Sequence, residues 1–200
     1  MTIHPRLLAA LVLALPLLTP RAHADSSGAG LPQAQSQAET LNANILASSS
    51  ATLALEQWCA AHAMATPARI VARLQRGNEQ AASAEQRTRL GVDAHTVVKH
   101  RRVHLYCGDH LMSEADNWYV PSRLSAEMNR LLEETDTPFG KVVQPLAPYR
   151  RTFAARNLWA ADAQEVPAAL FEHRAVLYTA AHQPIAEVRE SYQRGVLAFR

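Results

Sequence analysis

ADNWYVPSRL, Ala115 to Leu124, sets two small polar residues beside two large aromatics and closes them with a proline, in a chain otherwise thick with alanine. Two readings are open. The run is either packing at the end of a strand or the wall of a pocket that grips a polar ligand, and its flanks decide which fold holds it.

Upstream, Val97 to Cys107 is rich in branched and aromatic residues, and Cys107-Gly108-Asp109-His110 supplies a turn, so this stretch and the quoted one read as consecutive strands. Alternation sorts the first of them into two faces. His100, Arg102, His104 and Tyr106 share one; Val97, Val103, Leu105 and Cys107 share the other. Downstream, Ser125 caps a helix through Glu134 with Met128, Leu131 and Leu132 inward. Thr137-Pro138-Phe139-Gly140 turns into another short element. Strands are expected again at Arg174 to Thr179 and Ile185 to Tyr192, joined by Ala181-His182-Gln183-Pro184. Ahead of all these, Ser48-Ser49-Ser50 precedes a helix over Ala51 to Met64, where Leu53, Leu55, Trp58, Cys59 and His62 recur at helical spacing. Thr66-Pro67 breaks it, Ile70, Val71 and Leu74 form a short apolar piece, and Gly77 to Arg89 is a polar, partly helical connection. Helix, strands, helix and strands in this order predict an α+β fold, an antiparallel β-sheet with helices packed on it.

Two hundred residues, 48% hydrophobic and 19% charged, suit one globular domain with a sizeable core. A net charge of +2 without a basic block disfavours nucleic-acid binding. Residues 1–24 read as a secretory signal peptide: His4-Pro5-Arg6 is the positive start, Leu7 to Leu18 the apolar core and Ala22-His23-Ala24 the cleavage site. That apolar run is short of the roughly 20 residues a spanning helix needs. No cysteine stands at the cleavage point to accept a lipid. The expectation is a periplasmic or secreted protein with no integral membrane segment after cleavage. Residues 25–40, mostly Ser, Gly, Ala, Gln and Pro, read as a flexible leader, and residues 41–200 as a single domain, expected to be a monomer. In an oxidising compartment Cys59 and Cys107 are expected to bridge rather than to react.

Few motifs carry chemistry. His100 and His104 on a strand lie about 13 Å apart at ~3.3 Å per residue, too far to share a metal ion. HExxH, CxxC, a glycine-rich phosphate loop and GxSxG are all missing, so neither a metal nor a cofactor is implied. What remains is charge inside strands. Arg102 and Glu190 each lie in mid-strand, either on a solvated sheet face or turned into a cavity where a partner compensates them.

From Arg102 onward the chain resembles the chorismate lyase family, whose fold is shared by effector-binding domains of bacterial transcription regulators. The matching pieces are Arg102-Val103-His104-Leu105-Tyr106-Cys107, Tyr119-Val120-Pro121, Thr137-Pro138-Phe139-Gly140, Arg151-Thr152-Phe153, Leu158-Trp159 and Val188-Arg189-Glu190-Ser191-Tyr192. Ser50 to Gln57 resembles the family's early helix. The resemblance implies elimination of pyruvate from chorismate, leaving 4-hydroxybenzoate in an enclosed pocket. It makes Arg102 the partner of the ring carboxylate, which a guanidinium fork meets at both oxygens. Glu190 becomes the acid that gives a proton to the departing group, while Phe139 and Thr52 become pocket residues. Two departures stand out. Asn117 occupies the place of a second family arginine, and the step from Gln183-Pro184 to Glu190 is one residue too long. Without a bulge that extra residue turns Glu190 to the wrong face and makes Glu187 the competing acid. On this reading Asn117 to Val120 is a strand with Asn117 near the ligand, Trp118 or Tyr119 walls the pocket or packs behind it, and Asp116 is a turn residue. The expected ligand is a small aromatic or cyclic carboxylate; the alternatives are a non-catalytic binding module and an interaction protein in which Arg102 and Glu190 merely pair.

Overall fold

The computed structural model describes residues 27–77 and 79–198. The expected signal peptide therefore lies outside the described residues. Among them, six strands form one antiparallel sheet in the order β1-β2-β3-β6-β5-β4: β1 Ile70–Gln75, β2 Lys99–Cys107, β3 His110–Tyr119, β4 Tyr149–Asn157, β5 Ala169–Tyr178 and β6 Pro184–Gln193. The α+β class expected from the sequence is the class observed.

Period-two alternation gives the sheet two different faces. One row of neighbours runs Leu74, Val103, Ala115, Glu190, His173 across β1, β2, β3, β6 and β5, and all but one of the α-helices among the described residues cover this side. The row one residue along runs Gln75, Arg102, Asp116, Arg189, Arg174 and belongs to the opposite side. Helix α1 (Ser27–Ala47) and helix α2 (Ala51–Ala61) pack on the first face. Here Leu41, Ile45 and Leu55 are wholly buried, each contributing about 1.5–3 kcal/mol. Helix α4 (Ala126–Glu134) and the single turn α5 (Phe139–Val142) close the other end of that face over Tyr119 and Ala186. The short α3 (Ala84–Leu90) lies against the opposite side, where its Arg89 meets Glu187 at 2.7 Å.

Helix α1 corrects the reading of residues 25–40 as a flexible leader. Leu31, Ala34, Ala38, Leu41 and Ile45 recur at helical spacing and pack into the main core. Alanine offers little to bury by composition, yet it lets a helix approach a sheet closely. The helix thus begins well before residue 41.

Capping follows the serines. Ser50, Ser83 and Ser125 each accept a backbone N–H from the first turn of their helix, and Ser83 with Gln86 forms a reciprocal box. Gly108, at φ +55°, makes the tight turn from β2 into β3. Cys59 of α2 and Cys107 at the end of β2 are joined by a disulfide with their Cα atoms 6.3 Å apart, as expected. At the C-terminal end a 3-10 turn, Arg194–Leu197, folds back on the core. There Val196 is fully buried and its carbonyl accepts the indole N–H of Trp58 at 2.8 Å.

Candidate functional site

Where α2 and α5 approach the middle of the covered face, they leave a small cavity of about 40 Å³. Its walls include Thr52, Asn117, Phe139, Arg150 and Glu190. Four of these are the expected site residues; Arg150 is not. Thr52 arrives in the first turn of α2, directly after the Ser50 cap, and Phe139 arrives with α5 after Pro138. Thr52 and Phe139 are both buried. The two elements touch at Gly140, where an added Cβ would lie 2.9 Å from the Thr52 hydroxyl.

Glu190 faces the cavity because of a bulge. Leu177 pairs with Ala186 while Tyr178 pairs with Pro184, so Ile185 is an extra residue at the start of β6. This absorbs the surplus between Pro184 and Glu190. Glu187, the competing acid, consequently points to the opposite side of the sheet, where both its oxygens accept hydrogen bonds from Arg89 at 2.7 and 2.9 Å.

Arg102 is on that opposite side as well, which corrects its expected place in the ligand pocket. It pairs with Glu114 at 3.3 Å and stands 3.9 Å from Asp116. The alternation of β2 dictates this: Arg102 follows His100 and His104, whereas its neighbour Arg101 follows Val103 and Leu105 inward. Asp116 is likewise no turn residue. It is buried in mid-strand, receiving Arg189 at 2.6 Å and the His100 ring nitrogen at 2.9 Å. Trp118 and Tyr119 divide between the faces: the Trp118 indole donates to the Gln80 carbonyl on one side, and the Tyr119 ring meets Phe139 at 5.8 Å on the other.

The cation that meets Glu190 comes from β4. Arg150 Nη2 donates to Glu190 Oε2 at 2.8 Å, and the Tyr192 hydroxyl donates to the same oxygen at 3.0 Å. The Arg150 side chain is only 4% exposed, and its Nε–H is buried without an acceptor among the described residues. Burial works against the Arg150 charge, but the Glu190 carboxylate outweighs it and holds the guanidinium pKa above its ordinary value. Burial, reinforced by the same carboxylate, pushes the Tyr192 hydroxyl up. Beside Glu190 on β5, His173 is wholly buried. Its Nε2 donates to Asn42 Oδ1 of α1 at 2.7 Å, while Nδ1 has no partner among the described residues. Desolvation first, and Arg150 second, lower its pKa from 6.5 to about 4, so the ring is neutral.

A charged pair and an amide thus meet beside an apolar wall, with the Tyr192 phenol and the neutral His173 ring buried next to Glu190 outside the lining. Such a set can hold a small polar anion. Arg150 was invisible to sequence patterning because β4 is an edge strand, mostly exposed, with no apolar alternation around it.

No known family model matches the chain. It is 38% identical over 213 residues to the uncharacterized protein y4mC of Sinorhizobium fredii, a match spanning 96% of this chain and 90% of that one. Among solved structures, PhnF from Mycobacterium smegmatis superposes with a TM-score of 0.50 at 14% identity, covering 74% of this chain and 65% of PhnF. The effector domain of PhnF taken alone gives a TM-score of 0.49 at 14% identity over 72% of this chain and 88% of the domain. The sheet and its helices are the fold shared by such effector domains and chorismate lyases, and at this identity the likeness speaks for the fold alone.

Proposed function

The chain belongs to the family of the y4mC protein, and we propose that it is an exported binding protein for a small ring-bearing hydroxy acid of the 4-hydroxybenzoate type. One observation carries this reading: a guanidinium and a carboxylate, Arg150 and Glu190, meet at 2.8 Å inside the cavity that Thr52, Asn117 and Phe139 also line. A carboxylate guest takes the vacant Arg150 donor, and its hydroxyl donates to Glu190. Asn117 adds an amide, and Phe139 a flat apolar wall. The cavity, at about 40 Å³, has room for a few water molecules, so a ring enters only as α5 swings away from α2.

Lysis of chorismate is the finer alternative. Glu190 Oε2 is held by Arg150 and Tyr192, and Asn117, an amide, stands where the resemblance calls for a second arginine, so the cavity offers one cation to a substrate with two carboxylates. Binding without turnover is therefore the preferred reading. Export finds support in the Cys59–Cys107 bond, since such bonds persist in oxidising compartments.

Calorimetry with 4-hydroxybenzoate on the purified protein tests the proposal. Saturable one-site binding that weakens about tenfold or more in Arg150→Gln is expected. No binding heat and no protection against thermal unfolding overturn it. Pyruvate release from chorismate, lost in Glu190→Gln, moves the reading from binding protein to lyase.

A further inference from the structure

β1 ends at Gln75, opposite Arg102, while β2 extends three residues further back to Lys99. Lys99, His100 and Arg101 consequently have no strand beside them on that side. In the place a longer β1 would fill lies a cleft of about 360 Å³, bounded on the far side by Leu132 and Glu133 of α4. It is separate from the cavity that holds Arg150 and Glu190, and the two share no lining residue.

Four cations line this cleft, Arg76, Lys99, Arg101 and Arg102, against two carboxylates, Glu79 and Glu133. Glu133 is already paired with Lys99, and Arg102 is engaged with Glu114 at 3.3 Å. Arg101 differs from the others. The residue is only 4% exposed, and its guanidinium donates to two backbone carbonyls, Leu132 O at 2.9 Å and Thr137 O at 3.2 Å. Its Nη1 is buried with no hydrogen-bond partner, and no carboxylate pairs with it among the described residues. Desolvation accordingly lowers its pKa to about 10. A buried cation held by neutral carbonyls with a spare donor is a costly arrangement unless an anion completes it. Leu74 and Leu132 supply apolar wall, and Gln75, His100 and Tyr119 complete the lining.

We propose that this cleft is a second ligand site, binding the acid group of a small organic anion through Arg101 and Arg76 while its apolar body lies on Leu74 and Leu132. Lys99 and Arg102, each already paired with a carboxylate, also line the cleft. The site is independent of the ligand assigned to the Arg150 cavity.

Arginine-detected NMR on the purified protein, titrated with benzoate and in parallel with neutral benzamide, tests this. Benzoate is expected to shift the Arg101 Nε–H signal saturably and benzamide is not. The charge reversal Arg76→Glu, on an exposed side chain, is expected to weaken that response about tenfold without changing the spectrum elsewhere. Equal responses to benzoate and benzamide, or a benzoate response that Arg76→Glu leaves intact, overturn the assignment. So does an Arg101 signal that never moves. Because the Arg150 Nε–H signal is read in the same spectra, failure at one site is distinguishable from failure at the other.

Discussion

His173 has no exposed surface, and its ring is hemmed by Phe171, Tyr192, Asn42, Arg150 and Glu190. That confinement has a consequence for acid stability. Below pH 6.5 the unfolded chain takes up a proton at this histidine, whereas the folded protein refuses it until about pH 4. Stability contributed by the neutral ring is therefore present above pH 6.5 and lost as the pH falls toward 4. The full effect is roughly 3 kcal/mol. Urea unfolding of the wild type and of His173→Asn at a series of pH values is expected to show a steeper decline in the wild type across that window. Parallel slopes would mean the ring is hydrated in solution. The same neighbourhood explains which of the cavity's lining residues the sequence picked out. Thr52, Asn117, Phe139 and Glu190 lie on elements whose caps, turns or alternation are written locally. Arg101 and Arg102 are adjacent and chemically alike, so only the period of β2 distinguishes them, and that period sends Arg102 outward. Arg150 is buried by Glu190, forty positions later in the chain, a relation that no local pattern announces.

At the level of elements, α2 is fixed at both of its ends. Its first turn meets α5 at Thr52 and Gly140, and its last turn is bonded through Cys59 to Cys107. The disulfide spans 48 positions, and a loop of that length is worth about 4 kcal/mol in the chain-entropy description. The double variant Cys59→Ser, Cys107→Ser is expected to lower the urea midpoint by a matching amount and to loosen the Thr52 wall, reading out as weaker 4-hydroxybenzoate binding. An unchanged midpoint would show that packing alone holds α2. Strand legibility follows the same physics. β2 and β5 are half-buried and β6 is mostly buried, so their alternation is written in residue type, whereas β4 reads YRRTFAARN and is largely exposed. An edge strand whose side chains meet water is under little pressure to alternate. Helix α1 hid for a different reason: through residue 40 its packed stripe is only Leu31, Ala34 and Ala38, and the larger Leu41 and Ile45 come in its second half.

The whole molecule is closed by its C-terminal end. Gly195 lies so near the Leu111 carbonyl that a Cβ there would stand 2.1 Å from the oxygen, and Val196 caps the Trp58 indole. Gly195→Ala is expected to push this turn off the core and to cost about 2–4 kcal/mol, with a red shift of tryptophan emission as Trp58 meets water. Emission and midpoint equal to the wild type would show that the turn is dispensable. The strand order has a related effect on the timing of assembly. β3 is in the middle of the sheet, yet its partner β6 is the last of the described strands in chain order. Until β6 has been made, β3 lacks one of its two neighbours, so half of the central pairing does not exist and the nascent sheet stays pliable.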